Sequence, residues 1–189
     1  MADKPLEDRR KALEEEFFRK ENERLRQKLR AEQEAKQNAE ALAQQTGIRD
    51  EALVRELLEH GLSAETLSAL VLVPLVAVAW ADGALDDRER SAILSAASDI
   101  GIAPESPNFA LLEGWLAKRP SPKLLDAWIE YAKQLGGSLR GEGREVLSEE
   151  LVGRAREVAR ASGGVLGLGS KVSAQEQQVL DRLVKALQD

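Results

Sequence analysis

The chain has 189 residues, of which 43% are apolar, and this length predicts one ordinary domain with an appendage. The chain has no cysteine and one histidine, and this composition excludes disulfides, thiolate metal sites, cysteine nucleophiles and histidine-rich metal sites. Its net charge of −6 argues against nucleic-acid binding, which needs Lys and Arg to neutralise phosphates.

Two stretches bear on where the protein resides. Residues 1–10 are charged, so we expect no secretory signal. The most apolar run, 67–81, contains Pro74 and falls short of the roughly 20 residues that cross a bilayer, so it predicts a buried helix. We therefore expect a cytoplasmic protein whose contact with membranes is at most peripheral.

Residues 1–44 form a charged segment that differs from the rest of the chain. They contain 11 basic and 11 acidic side chains, so the net charge of −6 falls on residues 45–189. The segment is rich in Glu, Lys, Arg, Gln, Ala and Leu, which favour helix. We predict a helical arm over 1–44 and a separate helical domain over 45–189. A partly disordered arm is the alternative that its composition allows.

A thin apolar stripe runs along this arm. Its members are Leu6, Leu13, Phe17, Phe18, Leu25 and Leu29. They are spaced by seven and four residues, but the register slips between the two halves. This pattern favours a projecting helix or a short antiparallel pairing over a long coiled coil. We expect Phe17, Phe18 and Leu25 to contact a protein partner, and a homo-oligomer of the chain is a further alternative.

Beyond residue 45, the apolar spacing is typical of globular helices, and no stretch has the alternation of a strand. The predicted fold class is all-α: a compact bundle of about seven helices preceded by the long charged helix. Ser63 is predicted to cap a helix in which Pro74 produces a kink or a late start. Ser148 and Ser173 are predicted to cap the last two helices.

The acidic stretch 82–89 is the best candidate site. It places Asp82, Asp86 and Glu89 around Gly83, and hard divalent cations such as calcium, magnesium or manganese prefer oxygen ligands of this kind. The spacing differs from that of an EF-hand. A purely structural alternative also fits, because Asp86 and Glu89 have the spacing of a helix capping box.

The order of a helix, Ala-Asp-Gly, an apolar residue, Asp and then Glu resembles the tellurite-resistance TerB-like family and the related N-terminal domain of DjlA-type co-chaperones. The likeness rests on residues 76–94 and, more loosely, on the helical layout of 48–189. It implies an all-helical bundle, proposed divalent-cation ligands at Asp82, Asp86 and Glu89, and a bacterial stress-response or adaptor role. A degraded second copy has Ser173 and Glu176 at the places of Asp86 and Glu89, so Glu176 could contribute to the site.

Residues 8–21 of the arm are also similar to the opening of the zeta-type inhibitor of the bacterial F1-ATPase. An amphipathic helix of this kind binds in a partner's groove, with Phe17 and Phe18 as anchors. Two functions therefore remain: a cation-responsive stress protein, and a scaffold or inhibitor that acts through its arm. Enzymatic activity is not expected, although Asp82 and Glu89 leave acid–base hydrolysis as a third hypothesis. The glycine-rich run 163–171 lacks the order of a phosphate loop.

Overall fold

The computed structural model describes residues 4–138, 142–162 and 172–188, with side chains over 13–134, 149–161 and 172–187. Within these ranges there are eight α-helices, one short 3-10 helix and no strand. The α-helices are α1 (Lys4–Thr46), α2 (Glu51–Glu59), α3 (Val73–Ala79), α4 (Asp87–Asp99), α5 (Pro107–Ala117), α6 (Lys123–Ser138), α7 (Glu142–Ser162) and α8 (Ala174–Gln188). The prediction of an all-α bundle behind a long charged helix is confirmed.

The short helix α3 lies at the centre of the bundle. Six of its seven residues are buried, and it packs against α4, α6, α7 and α8. A helix that is apolar all round has to be enclosed in this way, because no face of it is suited to water. The most apolar run of the sequence is thus a core helix, and none of the described helices is long and apolar enough to cross a membrane.

The helix predicted to begin at Ser63 is divided into two parts. Ser63 and Thr66 bond each other's backbone in a turn, a 3-10 helix covers Leu67–Leu72, and α3 begins only at Val73. Pro74 lies in the first turn of α3, where its missing N–H costs nothing. The late start at Pro74 is confirmed, and the N-cap at Ser63 is wrong.

The other two predicted serine caps have different outcomes. Ser173 accepts the backbone N–H of Glu176 at 3.1 Å and so caps α8. Ser148 lies within α7, so the cap predicted there is wrong. The glycine-rich run 163–171 lies outside the described residues.

The C-terminal end of α1 is anchored in the bundle. Leu42 is fully buried in the main core, and Ala39 and Ala43 pack against that core. The main neighbour of α1 is α2, whose first turn is capped by Asp50 through the backbone N–H groups of Ala52 and Leu53. The long helix is therefore held at one end.

Candidate functional site

The acidic stretch begins as a turn that ends α3. Gly83 has φ = +98°, a left-handed conformation that side chains disfavour, and its N–H bonds the carbonyl of Trp80 at 3.1 Å. Asp82 Oδ1 accepts the N–H of Ala84 at 3.1 Å, which closes the turn. The turn thus leaves Asp82 exposed at the surface, and one of its oxygens is engaged with the backbone.

A capping box follows at the start of α4. Asp86 Oδ1 accepts the N–H groups of Arg88 and Glu89, both at 2.8 Å. Glu89 Oε2 in return accepts the N–H of Asp86 at 2.9 Å. These reciprocal bonds satisfy N–H groups that a helix start would otherwise leave unpaired. Asp86 and Glu89 therefore form the helix capping box that their spacing in the sequence predicts as the alternative to a metal site.

A second capping box stands at the start of α8. Ser173 Oγ accepts the N–H of Glu176, and Glu176 Oε2 accepts the N–H of Ser173. Ser173 and Glu176 therefore perform the same roles as Asp86 and Glu89, as their places in the degraded second copy predict. The local repeat in the sequence corresponds to a repeat of local geometry.

Both capping glutamates are buried, each with 3% of its surface exposed. Burial is the main cause that raises the pKa of Glu89 to about 7, against a weaker lowering by the bond from the Asp86 N–H. The negative charges of Asp86, Glu176 and Asp82 raise this pKa further. Three carboxylates thus act on Glu89 in addition to its burial, and a pKa of about 7 leaves Glu89 divided between its two protonation states close to neutral pH.

The structure brings the predicted ligands Asp82, Asp86 and Glu89 near one another and adds Glu176 to them. Each of the four has one oxygen bonded to backbone N–H groups. In the part of the chain that the structure describes, no set of three or more His, Cys, Asp and Glu side chains is placed to hold a metal ion. The divalent-cation site stays a prediction.

A cationic side chain that the sequence did not single out lies near the same turn. A methyl group placed on Gly83 would lie 4.0 Å from Nη1 of Arg119, which extends from the segment between α5 and α6. A guanidinium at this position offers positive charge to the turn without a bound ion. Nothing in the local sequence could have indicated it, because Arg119 is 36 positions away along the chain.

The tryptophans serve the core, as their positions on apolar helix faces predict. Trp115 and Trp128 are buried. Trp80 is half-buried beside the acidic turn, and its indole N–H donates to the carbonyl of Trp115 at 2.9 Å. Because this bond satisfies its polar atom, Trp80 is explained by packing alone.

The arm has the opposite character. Its large apolar side chains are 47–67% exposed, and these are Leu13, Phe17, Phe18, Leu25 and Leu29. The rings of Phe17 and Phe18 contact each other edge to face, with centroids 5.9 Å apart. The predicted partner-binding residues Phe17, Phe18 and Leu25 therefore lie together on the surface and away from the core.

Comparison with known proteins gives no relative for this chain. No protein-family model, no curated protein and no solved structure matches it. The acidic turn and the exposed arm are therefore the two features of the molecule that bear on its function.

Proposed function

We propose that this protein is a non-catalytic interaction protein whose helical bundle holds α1 out as a binding arm. The observation that carries the proposal is the exposure of five large apolar side chains within residues 13–29, on a helix whose other end is fixed by the fully buried Leu42. Clustered exposed aromatic and aliphatic side chains are typical of protein interfaces, where they supply most of the binding free energy.

The arm is also suited to binding because it is already helical. Ion pairs along its surface, such as Glu16–Lys20 at 2.8 Å and Glu21–Arg24 at 2.8 Å, support the helix away from the bundle. Its anchored end removes the cost of starting a helix, since α1 extends outward from the core. A preformed helix loses less conformational entropy on binding than a disordered segment does.

Affinity capture from cells of the source organism tests this function. The tagged full-length chain is compared with Phe17→Gln/Phe18→Gln, which removes the aromatic pair, and with the matched control Arg19→Gln/Glu23→Gln on the other side of α1. Proteins captured with the chain, including untagged copies of itself, are quantified by mass spectrometry. The proposal expects at least one abundant protein to be lost with the phenylalanine variant alone. The same set of proteins with all three chains would refute it.

A second candidate function is a cation-responsive, TerB-like role at the acidic turn. It is compatible with a binding role of the arm, because the two features lie on different parts of the chain. It is favoured by one observation: the negative charges of Asp86, Glu176 and Asp82 all act on the buried carboxyl group of Glu89. Titration with calcium, magnesium and manganese, followed by intrinsic tryptophan fluorescence, tests it with Asp82→Asn as the control, because Trp80 lies beside the turn. A saturable change that the variant loses supports this role. A flat titration together with no heat in calorimetry removes it.

A further inference from the structure

We propose that the partner of the arm is a second copy of the same arm, and that the two α1 helices pack antiparallel and cross at Glu21. This inference rests on the proposed function, because it names what the exposed surface binds. It concerns one surface, the α1 row, which consists of residues 13, 17, 21, 25 and 29. The row reads Leu-Phe-Glu-Leu-Leu, and its successive members are four positions apart in the sequence.

A row with this spacing sets the angle at which two helices meet. Side chains four residues apart form a ridge that is inclined to the helix axis. When two such ridges pack side by side, the axes are inclined by about 50°. The α1 row is therefore shaped for a crossed contact centred on Glu21, with Phe17 and Leu25 closest to the crossing point. This explains why the stripe departs from the heptad register of a long coiled coil.

The α1 row is also symmetric about its centre. Large apolar side chains lie four and eight residues before Glu21, at Phe17 and Leu13, and four and eight residues after it, at Leu25 and Leu29. A twofold axis at Glu21 places Phe17 against the partner's Leu25, with Leu13 and the partner's Leu29 at the edge of the contact. The same surface then serves on both copies, which is the requirement for an isologous dimer.

Charge decides the direction of the two helices. Residues 13–18 contain three glutamates and no basic residue, whereas residues 24–30 contain four basic residues and no acidic one. Antiparallel packing places these two segments opposite each other, with Glu14 level with the partner's Lys28. Parallel packing would put like charges together and would be disfavoured.

The polar residue at the centre of the row has a partner on its own helix. Glu21 is half-buried by its neighbours and accepts a hydrogen bond from Nη2 of Arg24 at 2.8 Å. The pair brings a positive charge to each of the two glutamates at the crossing point. A single polar residue within an apolar contact lowers its stability but fixes its register. Arg24 offsets the like charges that the twofold axis brings together at the crossing point.

The anchored end of α1 leaves room for this dimer. Leu42 enters the core 21 residues beyond Glu21, which is about 32 Å along a helix with a rise of 1.5 Å per residue. Antiparallel arms carry their bundles in opposite directions from the crossing point. The two bundles are then separated by tens of ångströms, so they do not obstruct each other.

Single cysteines test the arrangement directly, because the full-length chain has none of its own. Glu21→Cys should form a disulfide dimer with itself, since a twofold axis brings the two positions together. Phe17→Cys and Leu25→Cys should each stay unlinked alone and form the mixed disulfide when the two variants are combined. Glu23→Cys, close along the helix but on its other side, is the matched control and should stay unlinked. Products are separated on non-reducing gels and identified by mass.

The outcomes separate this inference from the proposed function. Efficient disulfide formation by Phe17→Cys alone would mean parallel packing and would overturn the inference. So would a monomeric parent chain at about 100 µM in sedimentation, a concentration that reveals even weak self-association. If that monomer still captures another protein through Phe17 and Phe18, the proposed function stands without self-pairing. If it captures nothing, both fall.

Discussion

Glu89 and Glu176 occupy the same position in two capping boxes, and burial raises the pKa of Glu89 with a further contribution from the negative charge of Glu176. The two glutamates are 87 positions apart in the chain and belong to α4 and α8, which both pack against α3. Each one bonds a backbone N–H at its own helix start. Each also loses contact with water, and protonation relieves the part of that cost at Glu89 that the bond from the Asp86 N–H does not offset.

This arrangement predicts how stability depends on pH. The pKa of Glu89 is about 7 in the folded chain and near 4.5 when unfolded. Between these values the folded state binds the proton more strongly, so the contribution of Glu89 to folding is largest at acidic pH. It falls by roughly 3 kcal/mol as the pH rises from about 4.5 to above 7.

Glu89→Gln isolates this effect, because glutamine retains the capping bond and cannot ionise. Relative to the parent, the variant should gain roughly 3 kcal/mol in free energy of unfolding between pH 4.5 and pH 8, measured by urea denaturation. Asp87→Asn, at the exposed neighbouring helix position, is the control and should show little of this trend. A constant difference between parent and Glu89→Gln at all pH values would contradict the account.

Asp86 should influence Glu89 through charge and the helix through its cap. Asp86→Asn retains the cap but removes one charge, so the pKa of Glu89 should fall with little loss of stability. Asp86→Ala should cost about 1 kcal/mol because the cap is lost as well. The carboxyl carbon of Glu89, followed by NMR during a pH titration, measures the first effect. An unchanged titration in Asp86→Asn would show that Asp86 contributes no charge at this position.

Two leucines on α1 should respond very differently to truncation. Leu42 is fully buried, so Leu42→Ala should destabilise the bundle by about 2–5 kcal/mol. Leu29 is 58% exposed, so Leu29→Ala should change the stability of the monomer by less than about 0.5 kcal/mol. Urea denaturation of the dilute chain measures both. Similar losses would mean that the arm is packed along its length and does not project.

A charge exchange within the arm should first weaken and then restore self-association. Lys28→Glu puts a negative charge level with the partner's Glu14, and adding Glu14→Lys restores opposite charges. Sedimentation at low salt should show dimers weakened several-fold by the single change and recovered in the double variant, with a smaller effect at high salt. A double variant that dimerises more weakly than either Lys28→Glu or Glu14→Lys alone would argue against antiparallel arms.

Much of the fold follows from local sequence. The apolar spacing predicts the helices, and the pair Asp86 and Glu89 predicts a capping box because all its bonds lie within four residues. Ser63 and Ser148 were misassigned because serine favours several local structures. Ser63 bonds with Thr66 in a turn, and Ser148 lies inside α7.

The candidate site could be predicted only in part. The repeat identifies Glu176, but its burial and its effect on Glu89 depend on how α4 and α8 pack around α3. The approach of Arg119 to Gly83 is likewise a contact between distant segments. The exposed arm was predictable, because an excess of charge leaves too few apolar residues to bury the helix on all sides.

Photo-cross-linking in cells tests most directly the central claim that the exposed face of α1 is a protein-binding surface. Benzoylphenylalanine replaces Phe17 in the full-length chain, and Glu23 in a control, because position 23 faces away from the α1 row. Position 17 should give a covalent adduct with another protein, and position 23 should give little. If the arms pair, the protein linked to position 17 is a second copy of the chain. Equal or absent adducts at both positions would contradict the claim.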